Sequence, residues 1–282
     1  MIRSTLCIMR DVEKEDTVKK YRTITSPSSP VIKRALRNKK EREQNTILVE
    51  GHRLLEMAFA SGAVIRQVFF TVPYKLKHDD FLQLLSKKNA ELIETSEHVL
   101  SKLSDTETPQ GIVAFAVYQA VPLAELSVAD NPLIVVCDGI QDPGNLGTII
   151  RTADAAGADA VITRPRTCDA LMPKVIRATS GSIFSLPVVN AGPGVLIPWL
   201  AEKAIALCVA DAHAPIPLYS ADLRGPLAIV VGNEAGGVSQ NLKDKADMLL
   251  RIPIPGRAES LNVAVSASIC LYEAVRQRRA LP

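Results

Sequence analysis

Three short stretches place polar residues where apolar, strand-like runs end. Asp138-Gly-Ile-Gln-Asp-Pro-Gly-Asn-Leu-Gly147 follows Leu133–Cys137 and opens a helical stretch that carries Arg151. Val230-Val-Gly-Asn-Glu-Ala-Gly-Gly-Val-Ser239 closes a second run, and Ile252–Asn262 links a third to a C-terminal helix through Ser260 and Asn262. Loops at the carboxyl ends of parallel strands are where α/β sheets bind ligands. An arginine set among apolar and small residues, as in Ile149-Ile-Arg-Thr-Ala-Asp154, is expected to be partly enclosed and to need an anionic partner. Glu234, just past a buried strand, is costly unless paired, and Arg151 is its natural partner. Gly232, Gly236 and Gly237 allow backbone to approach a ligand closely and present N–H donors.

Taken singly, each stretch has a plainer explanation. Asn145 suits a helix N-cap, Ser260 could cap the last helix with Asn262 in its first turn, and the glycine loop could be an ordinary strand–helix turn. The glycines do not form G-x-G-x-x-G and no Walker lysine follows them, which disfavours a nicotinamide oxidoreductase or a P-loop nucleotidase. Three such loops in one order are harder to explain by turn chemistry alone.

The elements that must hold these loops follow from composition and periodicity. The chain has 282 residues, 47% of them hydrophobic, enough for one large or two modest cores. A net charge of +3 confines any nucleic-acid footprint to local patches, and 4% aromatics argue against a broad base-stacking surface as the main mode of RNA binding. Five cysteines lack metal-ligand spacing, so no metal is expected. Cys137, Cys208 and Cys270 sit in apolar runs as buried thiols of a reducing cytoplasm. No run approaches membrane-spanning length, and Met1–Lys20 turns charged too soon for a signal peptide.

Residues 1–29 show no sustained periodicity and form an N-terminal extension. Residues 30–118 form an α/β module that begins with a helix over Val31–Gln44, where Lys33, Arg37 and Lys40 are candidate contacts to an RNA backbone or simply a solvated face. The module continues through strands at Thr46–Glu50 and Glu91–Thr95, a helix over Asp79–Lys88 and a closing strand at Gly111–Tyr118. Residues 119–132, with Pro122 and Asn131-Pro132, form a linker. From 133 to 282 strands and helices alternate, including a helix over Leu146–Ala156, strands at Ala160–Thr163 and Phe184–Val189, and a helix over Asn262–Arg279. Such repetition implies a parallel sheet covered on both faces. The last helix is rich in Ala and Ser, whose small side chains suit a crowded place.

Together these stretches resemble the SpoU (TrmH) family of RNA ribose 2′-O-methyltransferases. Asn145-Leu-Gly-Thr-Ile-Ile-Arg-Thr-Ala-Asp-Ala-Ala-Gly157 is similar to its first motif, Val230-Val-Gly-Asn-Glu234 to its second, and Ile252–Ala267, through Ser260-Leu-Asn-Val263, to its third. Residues 46–118 resemble the L30e-like substrate-binding module of the family, with Pro109-Gln-Gly-Ile-Val-Ala114 similar to its closing strand. The resemblance implies an α/β chain with a trefoil-knotted C-terminal methyltransferase domain that forms homodimers and uses S-adenosylmethionine. It implies that the backbones of Gly232, Ile252 and Leu261 hold the cofactor, and that Arg151 is the catalytic residue, with Asn145, Glu234, Ser260 and Asn262 arranged around it. The implied substrate is large-subunit ribosomal RNA. A transfer RNA enzyme or a non-catalytic RNA-binding member of the fold are the alternatives.

Overall fold

Apolar residues fall into two separate sets, and the chain divides accordingly into units at residues 1–118 and 119–282. The computed structural model describes residues 21–42, 45–233 and 236–279.

In the first unit the order is β1 (Arg22–Ile24), α1 (Pro30–Glu41), β2 (Thr46–Glu50), α2 (His52–Ala60), β3 (Ile65–Phe70), α3 (Val72–Lys87), β4 (Glu91–Thr95), α4 (Glu97–Leu103) and β5 (Ile112–Val117). The sheet runs β1-β4-β3-β5-β2, with β1 and β3 parallel to β4 and β5 antiparallel to both β3 and β2. Ile32 and Ala35 of α1 pack with Phe69, Ile93, Leu100, Leu103 and Phe115 into one core. Pro30 starts α1, where its missing N–H has no intrahelical partner to lose, and Arg42, in the left-handed region at φ 51°, ends it. Burying that stripe leaves Lys33, Arg34, Arg37 and Lys40 exposed on the opposite face. Lys39 is engaged instead: its Nζ lies 2.8 Å from the Ser104 carbonyl oxygen and 2.5 Å from the Asp105 carboxylate.

Two details of this unit differ from the sequence expectation. The helix expected over Asp79–Lys88 starts seven residues earlier, at Val72 with Pro73 in its first turn, and is broken at His78 (φ −138°, ψ 30°). Its first half shows no apolar stripe, because Tyr74 is buried while Leu76 is 82% exposed. The stretch expected to be an extension contributes β1, in which only Ile24 is buried, and one apolar contact leaves no period to detect.

The second unit opens with a 3-10 turn at Leu123–Glu125, followed by β6 (Leu133–Asp138), α5 (Pro143–Ala155), β7 (Ala160–Thr163), α6 (Pro173–Ala178), β8 (Val188–Asn190), α7 (Leu196–Glu202), β9 (Ala206–Ala210), β10 (Ile216–Pro217), β11 (Leu227–Gly232), α8 (Gln240–Lys243), β12 (Met248–Arg251) and α9 (Val263–Arg279). All neighbours in the sheet β10-β12-β9-β11-β6-β7-β8 are parallel. Every residue of β6 is buried, as a central parallel strand covered on both faces requires. Leu123 and Leu126, in the stretch with linker composition, belong to this unit's core. The strand expected from Phe184 is confined to Val188–Asn190, because Ser182–Phe184 forms a 3-10 turn and Pro187 offers no N–H to a ladder.

The small residues of α9 have a visible use. Ala264, Ala267, Cys270 and Ala274 are buried where α9 lies against α5 and β11. Near its end, the Arg278 guanidinium donates to the carbonyl oxygens of Asn131, Pro132, Leu223 and Gly225 and so ties the helix to two loops. Burial raises the thiol pKa of Cys137 and pushes those of Cys208 and Cys270 up to about 12, leaving all three protonated. Among the described residues no helix is long and apolar enough to cross a membrane, and no His, Cys, Asp and Glu side chains gather as a metal site.

Candidate active site

The three loops singled out by their polar residues lie beyond the carboxyl ends of β6, β11 and β12. At the end of β6, Asp138 is buried, and its Oδ1 stands 3.2 Å from Arg164 Nε, close enough for an ion pair though not aligned as a hydrogen bond. Its Oδ2 accepts from the Ser239 backbone N–H at 2.8 Å, which ties the end of β6 to the loop after β11. That loop closes tightly. The Asn233 N–H donates to the Gly237 carbonyl at 3.1 Å and the Gly237 N–H returns to the Asn233 carbonyl at 2.8 Å. A Cβ on Gly232 would come within 2.3 Å of the Gly237 carbonyl carbon and the Val238 nitrogen, so only glycine fits there. Asn233 also donates from Nδ2 to the Gly139 carbonyl at 2.9 Å, a second tie to the loop after β6. Glu234 lies outside the described residues.

The caps differ from the sequence reading. Asp142, not Asn145, caps α5: its Oδ1 accepts from the Asn145 N–H at 2.8 Å, with Pro143 at the first helical position. Asn145 therefore sits in the first turn of α5 and does not cap it. Asn262, not Ser260, caps α9, its Oδ1 accepting from the N–H groups of Ala264 (2.9 Å) and Val265 (3.4 Å). Asn262 then donates from Nδ2 to Asn145 Oδ1 at 3.0 Å. One amide thus caps a helix with its oxygen and joins the first and third loops with its nitrogen, which also fixes which end is which. Close packing supports the pair: a Cβ on Gly147 would meet Ala178 Cβ at 2.4 Å, so α5 can approach α6 only because residue 147 is glycine.

Arg151 is not enclosed as expected. Ile149, Ile150 and Ala153 of α5 face the core, while Thr148, Arg151 and Ala155 share the exposed face of the helix. The guanidinium makes no ion pair with a described residue, because helical periodicity turns it away from the side of α5 that meets the sheet. Ser260 is exposed as well, two residues before the cap. The structure thus brings Asn145 and Asn262 together and leaves Arg151 and Ser260 open to solvent. Asp138, Asp142 and Asn233 were not singled out in the sequence. Asp138 and Asn233 carry a signal as short polar side chains at the ends of apolar runs, and Asp142 as a short polar side chain directly before Pro143.

A backbone-held cofactor fits these loops. From Ile252 to Leu261 no backbone–backbone hydrogen bond forms among the described residues, although Ile252, Ile254 and Leu261 are half-buried. Backbone donors and acceptors left open in this way suit a ligand with polar edges. Arg251 donates from Nη1 to the carbonyl oxygens of Ala214 (2.8 Å) and Pro215, and Lys243 pairs with Asp211, so the outer strands hold the rim of this region.

A parallel α/β unit with its polar loops at the carboxyl ends of its strands and a small-residue C-terminal helix packed against α5 and β11 defines a ligand-binding α/β domain, here joined to a second α/β module. The SpoU rRNA Methylase family matches residues 132–272, and the MRM3-like substrate binding domain matches residues 30–114. This chain belongs to the SpoU family of S-adenosylmethionine-dependent, trefoil-knotted methyltransferases. The 23S rRNA (guanosine(2553)-2′-O)-methyltransferase RlmP of Bacillus subtilis is 36% identical over 238 residues, covering 84% of this chain and 92% of that one. An AdoMet-bound rRNA methyltransferase from Sinorhizobium meliloti superposes with a TM-score of 0.81 at 32% identity, covering 93% of this chain and 99% of the other. The SpoU methyltransferase AviRb from Streptomyces viridochromogenes, in complex with AdoMet, gives a TM-score of 0.80 at 32% identity, covering 89% and 99%.

Proposed function

We propose that this chain methylates a ribose 2′-hydroxyl of 23S ribosomal RNA with S-adenosylmethionine as donor. The observation that carries this reading is the Asn262–Asn145 hydrogen bond, which joins the first and third motifs beside the open backbone of residues 252–261. Two relatives matched over 84% and 86% of this chain are named as 23S rRNA 2′-O-methyltransferases, which favours ribosomal over transfer RNA.

When bound, S-adenosylmethionine supplies a methyl group on a sulfonium that is already a good leaving group. The protein must then align the ribose oxygen and assist loss of its proton. The backbones of Gly232, Ile252 and Leu261 hold the cofactor. Guanidinium keeps its proton too tightly to serve as a base, so Arg151 acts by stabilising the developing alkoxide and the adjacent phosphate while the hydroxyl proton passes to solvent water. Asn145 and Asn262 orient the reacting groups, Ser260 positions cofactor or phosphate, and Glu234 steadies Arg151. The active form is a homodimer. Val265 and Tyr272, each about half exposed on α9 (47% and 51%), offer an apolar face, and α5, packed against α9, carries the open Arg151. A second copy covering that face would enclose the guanidinium. The enzyme works in the cytoplasm. Residues 133–282 carry the chemistry, residues 30–118 bind the RNA, and residues 119–132 join the two.

The exposed face of α1 supplies phosphate contacts through Lys33, Arg37 and Lys40, which read no bases. Arg37 stands 3.8 Å from Glu41, an exposed i,i+4 pair that holds it only weakly. Transfer of labelled methyl to 23S rRNA, measured alongside RNA binding across a salt series, tests the reading. The wild-type chain should transfer label; a chain that binds RNA yet never transfers would be a non-catalytic member of the fold. Neutralising Lys33, Arg37 and Lys40 should lower the log–log salt slope by roughly 0.7 for each phosphate that is no longer neutralised, and leave the methylated position unchanged. An unaltered slope would make α1 a solvated face.

A further inference from the structure

A hollow of about 720 Å³ opens in the first unit, lined by residues distant in sequence that include His52, Tyr74, Lys77, His78, His98 and Gln110. Three of the chain's four histidines line it. Their rings are organised. The His78 and His52 centroids are 4.0 Å apart at 30°, and those of His78 and Tyr74 are 4.6 Å apart at 31°. The Tyr74 hydroxyl and His52 Nδ1 are hydrogen-bonded at 2.6 Å, and His52 Nε2 lies 3.2 Å from Glu56. Phe81 meets the His52 ring edge-on at 5.2 Å. The rings of His52, Tyr74 and His78 are thus each fixed by at least one neighbour before any ligand arrives.

The backbone around the hollow is adapted to it. The break in α3 falls on His78 itself, whose non-helical angles set its ring against those of His52 and Tyr74. Gly111, at φ +83°, leads into β5 where a Cβ would crowd Tyr74 Cβ at 3.1 Å and Thr71 Oγ1 at 3.0 Å, so a side chain there would push into the tyrosine. Burial, and secondarily the neighbouring His52, lowers the His78 pKa and so favours its neutral imidazole, which has one donor and one acceptor nitrogen. Lys77 is exposed beside it.

Exposed ring faces stack on flat heterocycles, imidazole and amide groups pair with their polar edges, and an exposed ammonium suits a phosphate. The volume lies within the range of small-ligand sites. Taking the chain to be an RNA methyltransferase, on which this step rests, we infer that this hollow receives an unpaired base of the RNA substrate, stacked on the His78–His52–Tyr74 rings with its phosphate toward Lys77. A single pocket needs few rings, so it is compatible with a chain poor in aromatics. It would hold the RNA through the first unit.

The histidine ring signals of the full-length wild-type chain, followed by NMR during titration with oligouridylate and oligoadenylate, test this without any mutation. His52, His78 and His98 should shift with at least one of the two, well beyond His213 of the other unit. Absent shifts, or shifts equal to that of His213, would overturn the inference. In parallel, His78→Ala should weaken binding of 23S rRNA about tenfold, the loss expected for one base–aromatic stack, while His78→Phe stays within about threefold of wild type. S-adenosylmethionine affinity should hold in both. If wild type binds 23S rRNA and His78→Ala binds it equally well, the pocket assignment alone fails. If wild type binds no RNA, the RNA-methyltransferase reading fails and the pocket with it.

Discussion

Arg151→Ala is expected to slow methyl transfer by roughly a hundredfold to a thousandfold, the range seen when one donor to a developing oxyanion is removed. S-adenosylmethionine affinity should stay within about threefold, because the cofactor is assigned to the backbones of Gly232, Ile252 and Leu261, not to this guanidinium. The fold should tolerate the change, since Arg151 is exposed and pairs with no described residue. Arg151→Lys should fail almost as badly, because a point charge cannot reproduce a planar fork that serves both an alkoxide and a phosphate. Single-turnover rates with RNA in excess, set beside calorimetric cofactor binding, separate the possibilities. Equal loss of rate and cofactor affinity would mean that Arg151 is structural.

The second large effect belongs to Gly232. Alanine there would place Cβ 2.3 Å from the backbone of Gly237 and Val238, far inside any tolerated contact. Backbone has no flexible end to swing aside, so the turn closed by Asn233 and Gly237 must open. Gly232→Ala should therefore weaken S-adenosylmethionine binding at least about tenfold, whereas the two-domain fold survives because the strain is confined to one loop at the carboxyl end of the sheet. Calorimetric titration of the variant, with circular dichroism to verify its fold, decides the matter. Near-normal cofactor affinity would show that the loop after β11 does not hold the cofactor.

How much of this was legible depends on how local the cause is. Thr46–Glu50, Glu91–Thr95 and Ala160–Thr163 have the bounds expected from their apolar patterns, and α9 begins one residue after its expected start. Those elements bury residues at the period that defines them. β1 and β10 are too short to show a period, with three and two residues. The sheet order depends on pairings between residues far apart in the chain, which no local pattern records.

The candidate site divides in the same way. Its polar residues were visible as types at the ends of strands, but which of them caps a helix depends on one or two positions of offset. Asp142 and Asn262 take the capping roles expected of Asn145 and Ser260, and the Asn145 side chain meets Asn262 instead. The exposure of Arg151 follows from which side of α5 meets the sheet, a tertiary fact. In the ring cluster only Tyr74 and His78, four residues apart on α3, share a local spacing, and His52 joins them from α2 as a tertiary contact.

The central claim is that this chain puts a methyl group on a ribose oxygen of 23S rRNA. Nucleotide-resolution mapping of 2′-O-methylation in 23S rRNA tests it most directly, in cells lacking the chain and in the same cells resupplied with wild type or Arg151→Ala. A discrete ribose methylation should disappear on deletion, return with wild type and stay absent with Arg151→Ala. An identical 23S rRNA methylation map in all three would contradict the claim.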